Sequence, residues 1–434
     1  MSKRMMHLVA YLKTGPTAIH SGGWRHPEAR LDDILEPERY EHIAKELEAA
    51  CFDACFFADL LGLYDIHKGS PESYVKYGGQ VSYLDPMTVL PIMARATSRL
   101  GLGVTMSTTF YNAYHLARSL GSLDVLSKGR VAWNIVTSAT DLEAQNFGFD
   151  EILPRDLRYD HADEVLEACT SLWNSWDADA FVHDKQTGVF ADPAKVHYAN
   201  YKGKWVSTRG PLSIPRSPQG HPVLMQAGSS ERGRRFAARW AELIFTAHGS
   251  LAAMQDFYAD IKERAVKEGR APEECKILLQ SAVVVAETDS IAQEKSEYLN
   301  SLANNELNLA MSSSNVGADL SKLTGNATLA NLQGNQGIQG AVDFLNVKAK
   351  ASGTDFKTAA QKSLPDQIVG TAQTVADQLQ ALFESRACDG FVVSPIYHPG
   401  SHEAFCRSVV PELQRRGLFR TGYTGNTLRE NLKD

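Results

Sequence analysis

Eight apolar segments, separated by stretches of helical periodicity, recur along the 434-residue sequence and constrain its fold more than any other feature. They are His7–Leu12, Ala54–Ala58, Leu100–Met106, Val131–Thr137, Pro222–Gln226, Glu242–Thr246, Ile277–Val285 and Gly390–Ser394. Their richness in β-branched and aromatic residues is typical of parallel strands that are buried on both faces. Because such a sheet needs helices over its faces and closure removes its edges, the pattern predicts an α/β fold, a (β/α)8 TIM barrel.

The segments between the strand candidates carry the helical stripes that this fold requires. Apolar residues with i, i+3, i+4, i+7 spacing occur at Tyr40, Ile43, Ala44 and Leu47, and a second stripe comprises Val375, Leu379, Leu382 and Phe383. Two connections, residues 139–221 and 287–388, are too long for simple barrel loops. We therefore read residues 1–434 as a single barrel domain with insertions at about these two positions.

Residues 304–363 form the most irregular part of the second insertion. They are rich in Asn, Ser, Gly, Gln and Ala; the segment Met311–Gly317 has the composition of a loop, and Gly334–Gly340 is rich in glycine. Two interpretations stay open. The stretch is either a flexible linker or a mobile insertion near the barrel mouth, where loops of such folds contact substrate.

Polar side chains collect at the C-terminal ends of the strand candidates, where barrel enzymes place their active sites. The clearest case is the apolar run Val131–Val136, which is interrupted by Asn134 and followed by Thr137 and Ser138. The others are Asp59 after the second strand, Thr105, Ser107, Thr108 and Thr109 at the third, Thr246 and His248 at the sixth, and Ser394 and His398 at the eighth. Each alone is an ordinary strand-to-loop residue, but together they predict several hydrogen-bonding groups at one face of the barrel.

The turn Gln226–Gly233 joins the fifth strand candidate to an amphipathic helix. Gly228 permits close approach of the backbone, and Ser229 or Ser230 can cap the helix. The N–H groups and the dipole of a helix N-terminus attract anions, to which Arg232 would add positive charge. The turn is therefore an anion site or a simple helix cap. It lacks the Gly-Lys-Ser/Thr ending of a P-loop, and no G-x-G-x-x-G nicotinamide fingerprint follows any strand candidate.

Two further segments carry side chains suited to ligand binding. Residues 20–27, after the first strand, include His20, Trp24, Arg25 and His26, and residues 158–161, at a helix start, include Tyr159 and His161. Ordinary packing explains both segments equally well. Hydrolytic and metal sites are not indicated, because no G-x-S-x-G elbow is present and Pro399 and Gly400 separate His398 from His402.

The bulk properties exclude several classes of protein. The net charge of −7 argues against a general nucleic-acid or anionic-membrane surface. No run approaches 18 apolar residues, and the basic N-terminus lacks the apolar region and cleavage site of a signal peptide. The six cysteines form no C-x-x-C pair, which is typical of reduced, buried thiols. We therefore expect a cytoplasmic protein with no nucleic-acid or membrane partner.

A series of motifs in a fixed order resembles the bacterial luciferase-like flavin monooxygenases. The motifs are Gly23–Pro27, Phe56–Asp59, Gly129–Ser138, Asn146–Gly148, Arg158–Tyr159, Leu172–Trp176, Gly188–Asp192, Arg209–Leu212, Arg216–Gly220, Gln226–Ser230 and Gly425–Glu430. They resemble most closely the branch that contains nitrilotriacetate monooxygenase and dibenzothiophene-sulfone monooxygenase. The likeness covers nearly the whole chain, apart from residues 304–363.

The resemblance implies a two-component monooxygenase that takes reduced FMN from a separate NAD(P)H-dependent flavin reductase and uses O2 to oxygenate a small organic substrate, often with cleavage of a C–N or C–S bond. Transferred onto this sequence, the cofactor-binding residues are Asp59, Thr105, Ser107, Asn134, Thr137, Tyr159, Gly228, Ser229 and Ser230. Of these, Asp59, Thr105 and Asn134 would lie around the isoalloxazine, and Tyr159, Ser229 and Ser230 toward the phosphate. By residue type and position, His20, His26 and His161 are candidates for proton transfer. We expect no metal ion and a homo-oligomer.

Two other functions stay open at this point. One is a deazaflavin-dependent oxidoreductase on the same barrel, which would transfer hydride without using O2. The other is a non-catalytic flavin-binding barrel, which would bind flavin without substrate-dependent O2 consumption. The substrate itself is not determined by the motifs and could be an aminopolycarboxylate, a sulfone, a thioether or a heterocycle.

Overall fold

A computed structural model describes residues 4–323 and 337–433. The strands are β1 His7–Leu12, β2 Ala54–Phe57, β3 Gly101–Ser107, β4 Val131–Val136, β5 Phe181–Asp184, β6 Val189–Ala191, β7 Tyr201–Lys202, β8 Ser207–Thr208, β9 Val223–Gln226, β10 Leu243–Thr246, β11 Lys276–Val285, β12 Gln367–Gly370 and β13 Gly390–Ser394. The helices are α1 Pro37–Ala49, α2 Glu72–Tyr77, α3 Pro86–Ala96, α4 Ala113–Leu126, α5 Asp141–Asn146, α6 Arg155–Trp173, α7 Glu231–Trp240, α8 Leu251–Lys267, α9 Asp289–Ser301, α10 Asn305–Val316, α11 Gln339–Ser352, α12 Phe356–Gln361, α13 Ala372–Glu384, α14 Gly400–Ala404, α15 Val410–Arg415 and α16 Leu428–Asn431.

The predicted eight-stranded parallel barrel is confirmed. Its strands follow the order β1, β2, β3, β4, β9, β10, β11 and β13, and β13 pairs again with β1. Each barrel strand coincides with a predicted segment to within one residue at either end. All strands run in the same direction, so their C-terminal ends form one mouth of the barrel.

The alternation of side chains along each strand separates two apolar layers. One face, which includes Val9, Phe56, Ala132 and Met225, packs inside the barrel. The other face packs against the helices, where both predicted stripes contribute buried residues. Leu428 of α16 joins the interior cluster, so the C-terminal helix closes the end of the barrel where the strands begin.

The two insertions have regular structure of their own. The first contains α5, α6 and two small antiparallel sheets, β5–β6 and β7–β8. The second contains α9 to α13, and β12, which pairs with the end of β11 beyond the barrel. The prediction of a loop at Met311–Gly317 is wrong, because α10 continues to Val316; part of the glycine-rich segment Gly334–Gly340 lies outside the described residues.

The helix α10 forms despite its polar composition because its ends are capped and its apolar face is buried against neighbouring helices. Asn304 accepts a hydrogen bond from the backbone N–H of Leu307, and Gly317 ends the helix in the left-handed conformation at φ 80°. Leu309 and Val316 are buried against α11 and α12. Tertiary packing on this apolar face compensates for the weak helix propensity of the Asn and Ser residues.

Two structural observations concern the cysteines and the apolar helices. All six cysteines are buried free thiols, as predicted. Within residues 4–323 and 337–433, no helix is long and apolar enough to cross a bilayer.

Candidate functional site

The polar centre of the barrel mouth is built from two neighbouring strands. Asn134 on β4 is paired in register with Thr105 on β3, and both lie on the face that points into the barrel. Asn134 Nδ2 donates to Thr105 Oγ1 at 2.8 Å, and Thr105 donates to the carbonyl oxygen of Phe57 at 2.7 Å. Asn134 Oδ1 is buried without a hydrogen-bond partner among the described residues. Because a buried unpaired acceptor costs roughly 1–3 kcal/mol, this oxygen indicates a ligand with a donor.

Ser107 and Thr137, also predicted to bind cofactor, lie farther along the same two strands. Ser107 Oγ accepts hydrogen bonds from the backbone N–H of Thr109 at 3.1 Å and from Ser138 Oγ at 3.0 Å. Thr137 follows the last residue of β4, and its carbonyl oxygen accepts a hydrogen bond from Thr109 Oγ1 at 2.8 Å. These bonds order the rim of the mouth between β3 and β4.

A pair of charged residues lies beside this centre, and only one of them was predicted. Asp59 follows β2, and its carboxylate accepts a hydrogen bond from the backbone N–H of Leu60 at 2.9 Å. Lys13 follows β1 in the same alternation as Val9 and Tyr11, so it belongs to the interior face. Burial lowers the pKa of Lys13 to about 8, against the attraction of Asp59 and Glu143. Lys13 was not among the predicted residues, although a lone lysine directly after an apolar strand was a signal that could have indicated it.

The predicted anion site at the Gly228 turn is a narrow cradle. Ser230 caps α7 by accepting from the backbone N–H of Gly233 at 3.1 Å. A Cβ atom added to Gly228 would lie 2.2 Å from Gln226 Nε2 and 3.2 Å from the Tyr159 hydroxyl, and one added to Gly233 would lie 3.0 Å from the same hydroxyl. The helix N-terminus, the glycine backbone and a buried phenol therefore converge, as anion binding requires.

A second helix, which sequence reasoning did not place here, approaches the same turn. A Cβ added to Gly340, in the first turn of α11, would lie 2.8 Å from Ser229 Oγ. Arg155 of α6 donates to the carbonyl oxygen of Gly337 at 2.6 Å and holds the start of this segment. Part of the second insertion thus contacts the Gly228 turn.

Arg232 does not have the role that was predicted for it. Its guanidinium is engaged by two carboxylates of α6, Asp160 at 2.9 Å and Asp163 at 2.5 Å. Its charge is therefore neutralised within the protein, and it ties α7 to α6 instead of adding positive charge to the anion site.

The three histidines proposed for proton transfer have different surroundings. His20 is fully buried; its Nδ1 accepts from the backbone N–H of Gly22 at 3.1 Å, and its Nε2 is 3.2 Å from Asn300 Oδ1. Both ring nitrogens of His20 are thus engaged within the protein, which indicates a structural role. His26 stacks on Tyr397 with ring centroids 4.1 Å apart.

His161 stays a prediction for proton transfer. It lies two residues after Tyr159 on α6, and the centroid of its ring lies 6.3 Å from that of the Trp205 ring. Burial lowers the pKa of His161, so it is neutral at pH 7 and able to accept a proton. Its Nδ1 atom is buried without a hydrogen-bond partner in the described part of the chain.

The pair His398 and His402, near the end of β13, is buried with rings 5.7 Å apart. Neither ring nitrogen of His398 has a partner among the described residues, and His402 Nε2 lies 3.2 Å from the carbonyl oxygen of Val393. Within residues 4–323 and 337–433 no group of three or more His, Cys, Asp or Glu side chains is arranged to hold a metal ion. The pair instead creates a sensitivity to acid.

We expect the protein to lose stability as the pH falls below about 6.5. Burial lowers the pKa of His402 to about 4, and burial together with His402 and Arg39 lowers the pKa of His398 far below its ordinary value. Each histidine therefore binds a proton more readily in the unfolded state than in the folded state. As the pH falls, each of the two lowers the free energy of unfolding, by about 2 kcal/mol at pH 5. Urea unfolding at pH 7.5 and pH 5 measures the loss. The variant His398→Leu should reduce the loss by about 2 kcal/mol, whereas the exposed His115→Leu should leave it unchanged; equal losses in all three proteins would contradict the assignment.

Comparison with known proteins adds information on ancestry. The family model described as luciferase-like monooxygenase matches residues 17–389. The chain is 44% identical to a dibenzothiophene-sulfone monooxygenase of Rhodococcus erythropolis (strain XP) over 439 residues, which cover 99% of this chain and 97% of the relative. It is 37% identical to nitrilotriacetate monooxygenase component A of Aminobacter aminovorans, covering 96% and 94%. A solved riboflavin lyase with a modified FMN and riboflavin is similar with a TM-score of 0.91 and 32% identity, over 99% of this chain and 96% of the other.

Proposed function

Since the chain belongs to the luciferase-like monooxygenase family, we propose that it is the oxygenase component of a two-component system that uses reduced FMN and O2 to oxygenate a small organic substrate. A separate NAD(P)H-dependent flavin reductase would supply the reduced FMN. The likeness to sulfone and nitrilotriacetate monooxygenases supports a reaction in which a C–S or C–N bond is cleaved. The homo-oligomeric state and the cytoplasmic location stay predictions.

The observation that carries this proposal is the pairing of an anion cradle with an unpaired polar centre across one mouth. The Gly228 turn, with Ser229, Ser230 and Tyr159, suits the phosphate of FMN. Asn134 Oδ1, buried and without a partner among the described residues, suits a ring N–H donor such as the isoalloxazine carries. A ligand that consisted of phosphate alone would leave the unpaired Oδ1 atom of Asn134 unexplained.

When bound, reduced FMN supplies the electrons that activate O2, so that one oxygen atom enters the substrate and the other leaves as water. The residues of the chain have the remaining tasks. Asp59, Thr105 and Asn134 orient the ring system, and Ser229 and Ser230 hold the phosphate. The apolar floor formed by Phe56, which stacks on Phe245 at 4.5 Å, excludes water from the reacting atoms.

We expect O2 consumption to require both the flavin reductase and FMN, and to be unaffected by a metal chelator. The measurement is O2 uptake with NADH, FMN, a purified flavin reductase and a panel of uncharged sulfones, thioethers and aminopolycarboxylates, with product analysis. Turnover with NADH and oxidised FMN in the absence of reductase would contradict the two-component assignment. If a reduced deazaflavin supports reduction of a substrate without O2 uptake, the protein is a hydride-transfer enzyme and not a monooxygenase.

A further inference from the structure

A cavity of about 520 Å³ lies beyond the C-terminal end of β10 and beside the middle of β11, next to the helices α10 and α11. Its volume is in the range of pockets that enclose small organic molecules. The helix α11 connects this cavity with the Gly228 turn, because Gly340 contacts Ser229 and the next residue, Ala341, lines the cavity. The cavity is therefore adjacent to the proposed cofactor site and was not anticipated from the sequence.

The apolar part of the cavity wall comes from both the barrel and the insertion. Leu279 belongs to β11, Met311 to α10, and Phe344 and Leu345 to α11. Burying an apolar ligand surface against these side chains removes it from water and favours binding. The aromatic and thioether side chains also suit a ligand with a conjugated ring.

The polar part of the wall consists mainly of uncharged amides and hydroxyls. Asn308 Nδ2 donates to the carbonyl oxygen of Gln361 at 3.0 Å, and Gln280 Nε2 donates to Ser394 Oγ at 3.3 Å. Gln80 Nε2 donates to the carbonyl oxygen of Ala18. Each of these three amide nitrogens uses one N–H within the protein, which leaves its second N–H and the amide oxygen for a ligand. Amides and hydroxyls can form hydrogen bonds with an uncharged polar group, but they carry no net charge that would balance a carboxylate.

No positive charge compensates for this wall. Among the described residues, neither lysine nor arginine lines the cavity, and residues 324–336 contain no charged residue. Burial lowers the pKa of His248, which is therefore neutral at pH 7, and Asp366 is ion-paired with Lys348. The buried Lys13 does not line the cavity, and its charge is opposed by two carboxylates, those of Asp59 and Glu143. A multiply charged anion would lose its hydration here without gaining a cation, which disfavours its binding.

We propose that this cavity binds the molecule to be oxygenated, and that this substrate is an uncharged, largely apolar small molecule and not an aminopolycarboxylate. The inference rests on the proposed function, because it assigns the cavity to the substrate of that reaction. The chain is similar to both the sulfone monooxygenase and the nitrilotriacetate monooxygenase. Its cavity, however, suits an uncharged sulfone better than the anionic nitrilotriacetate.

The first experiment is equilibrium binding without turnover, by calorimetry or tryptophan fluorescence, with dibenzothiophene sulfone and a ring-carboxylated derivative of it as matched probes. We expect the uncharged sulfone to bind at least about a hundredfold more tightly than the carboxylate, since an unpaired buried carboxylate loses several kcal/mol. Nitrilotriacetate should not bind. Tighter binding of either anion, or no binding of the sulfone up to its solubility limit, would overturn the proposal.

The second experiment tests the location. Ser312→Phe and Ala341→Phe each place a ring in the cavity and should weaken sulfone binding at least about tenfold; the exposed Ala351→Phe, on the same helix α11 as Ala341, is the control. Reduced FMN binding and thermal unfolding are measured on every variant. Unchanged sulfone binding in both cavity variants would overturn the location. Failure of the wild type to bind reduced FMN would instead contradict the proposed function, which keeps the two failures distinct.

Discussion

Replacing Ser229 and Ser230 together by alanine is expected to weaken the binding of reduced FMN by about a hundredfold to several-thousandfold, while riboflavin affinity barely changes. Both serines lie at the N-terminus of α7, beside the Tyr159 hydroxyl and the Gly228 backbone. A lost hydrogen bond to a charged group costs roughly 1.5–3 kcal/mol, and riboflavin lacks the phosphate that would make these bonds. Anaerobic titration of both reduced flavins against wild type and variant measures the difference.

The double variant also removes the cap of α7, which is expected to cost about 1 kcal/mol of stability. Thr427→Ala is the matched control, because Thr427 caps α16 at the opposite end of the barrel. It should reduce stability to a similar extent and leave both flavin affinities unchanged. If the serine variant weakens FMN and riboflavin binding equally, the turn does not bind phosphate and its serines are helix caps alone.

Asp53→Ala is expected to lower the free energy of unfolding by about 3–5 kcal/mol, because it leaves a buried cation without its partner. Asp53 is fully buried at the start of β2 and accepts hydrogen bonds from Arg420, from the backbone N–H of Leu8 at 2.8 Å and from His7 Nδ1 at 3.0 Å. Burial opposes its ionisation, but Arg420 and His7 lower the pKa of Asp53 below its ordinary value. Urea unfolding followed by circular dichroism measures the change.

An exposed ion pair provides the comparison for Asp53. Asp179 pairs with Lys195 on the surface, so Asp179→Ala should unfold close to the wild-type midpoint. Because Asp53 lies at the end of the barrel where β2 begins, the folded fraction of Asp53→Ala should bind reduced FMN normally. A stability close to that of the wild type would mean that the Arg420 charge is satisfied without Asp53.

The sequence alone determined the barrel, and it indicated two parts of the candidate site, Asn134 and the Gly228 turn. Parallel strands buried on both faces need continuous apolar segments, and this requirement is local, so each of the eight barrel strands was predicted to within one residue at either end. Polar residues such as Asn134 stood out because they interrupt or end those segments. The Gly228 turn was recognisable for a similar reason, since a glycine and two serines between a strand and a helix have few other uses.

Tertiary structure alone decided what each polar group contacts. Arg232 was predicted to face an anion, but two carboxylates of α6 neutralise it. Lys13 was overlooked because neither its burial nor its attraction to Asp59 and Glu143 is visible in the local sequence. The C-terminal half of α10, within Met311–Gly317, was mistaken for a loop because packing against α11 and α12, and not intrinsic propensity, stabilises the helix. Charge pairing and packing join residues far apart in the chain, and no local pattern specifies which partners the fold will bring within a few ångströms.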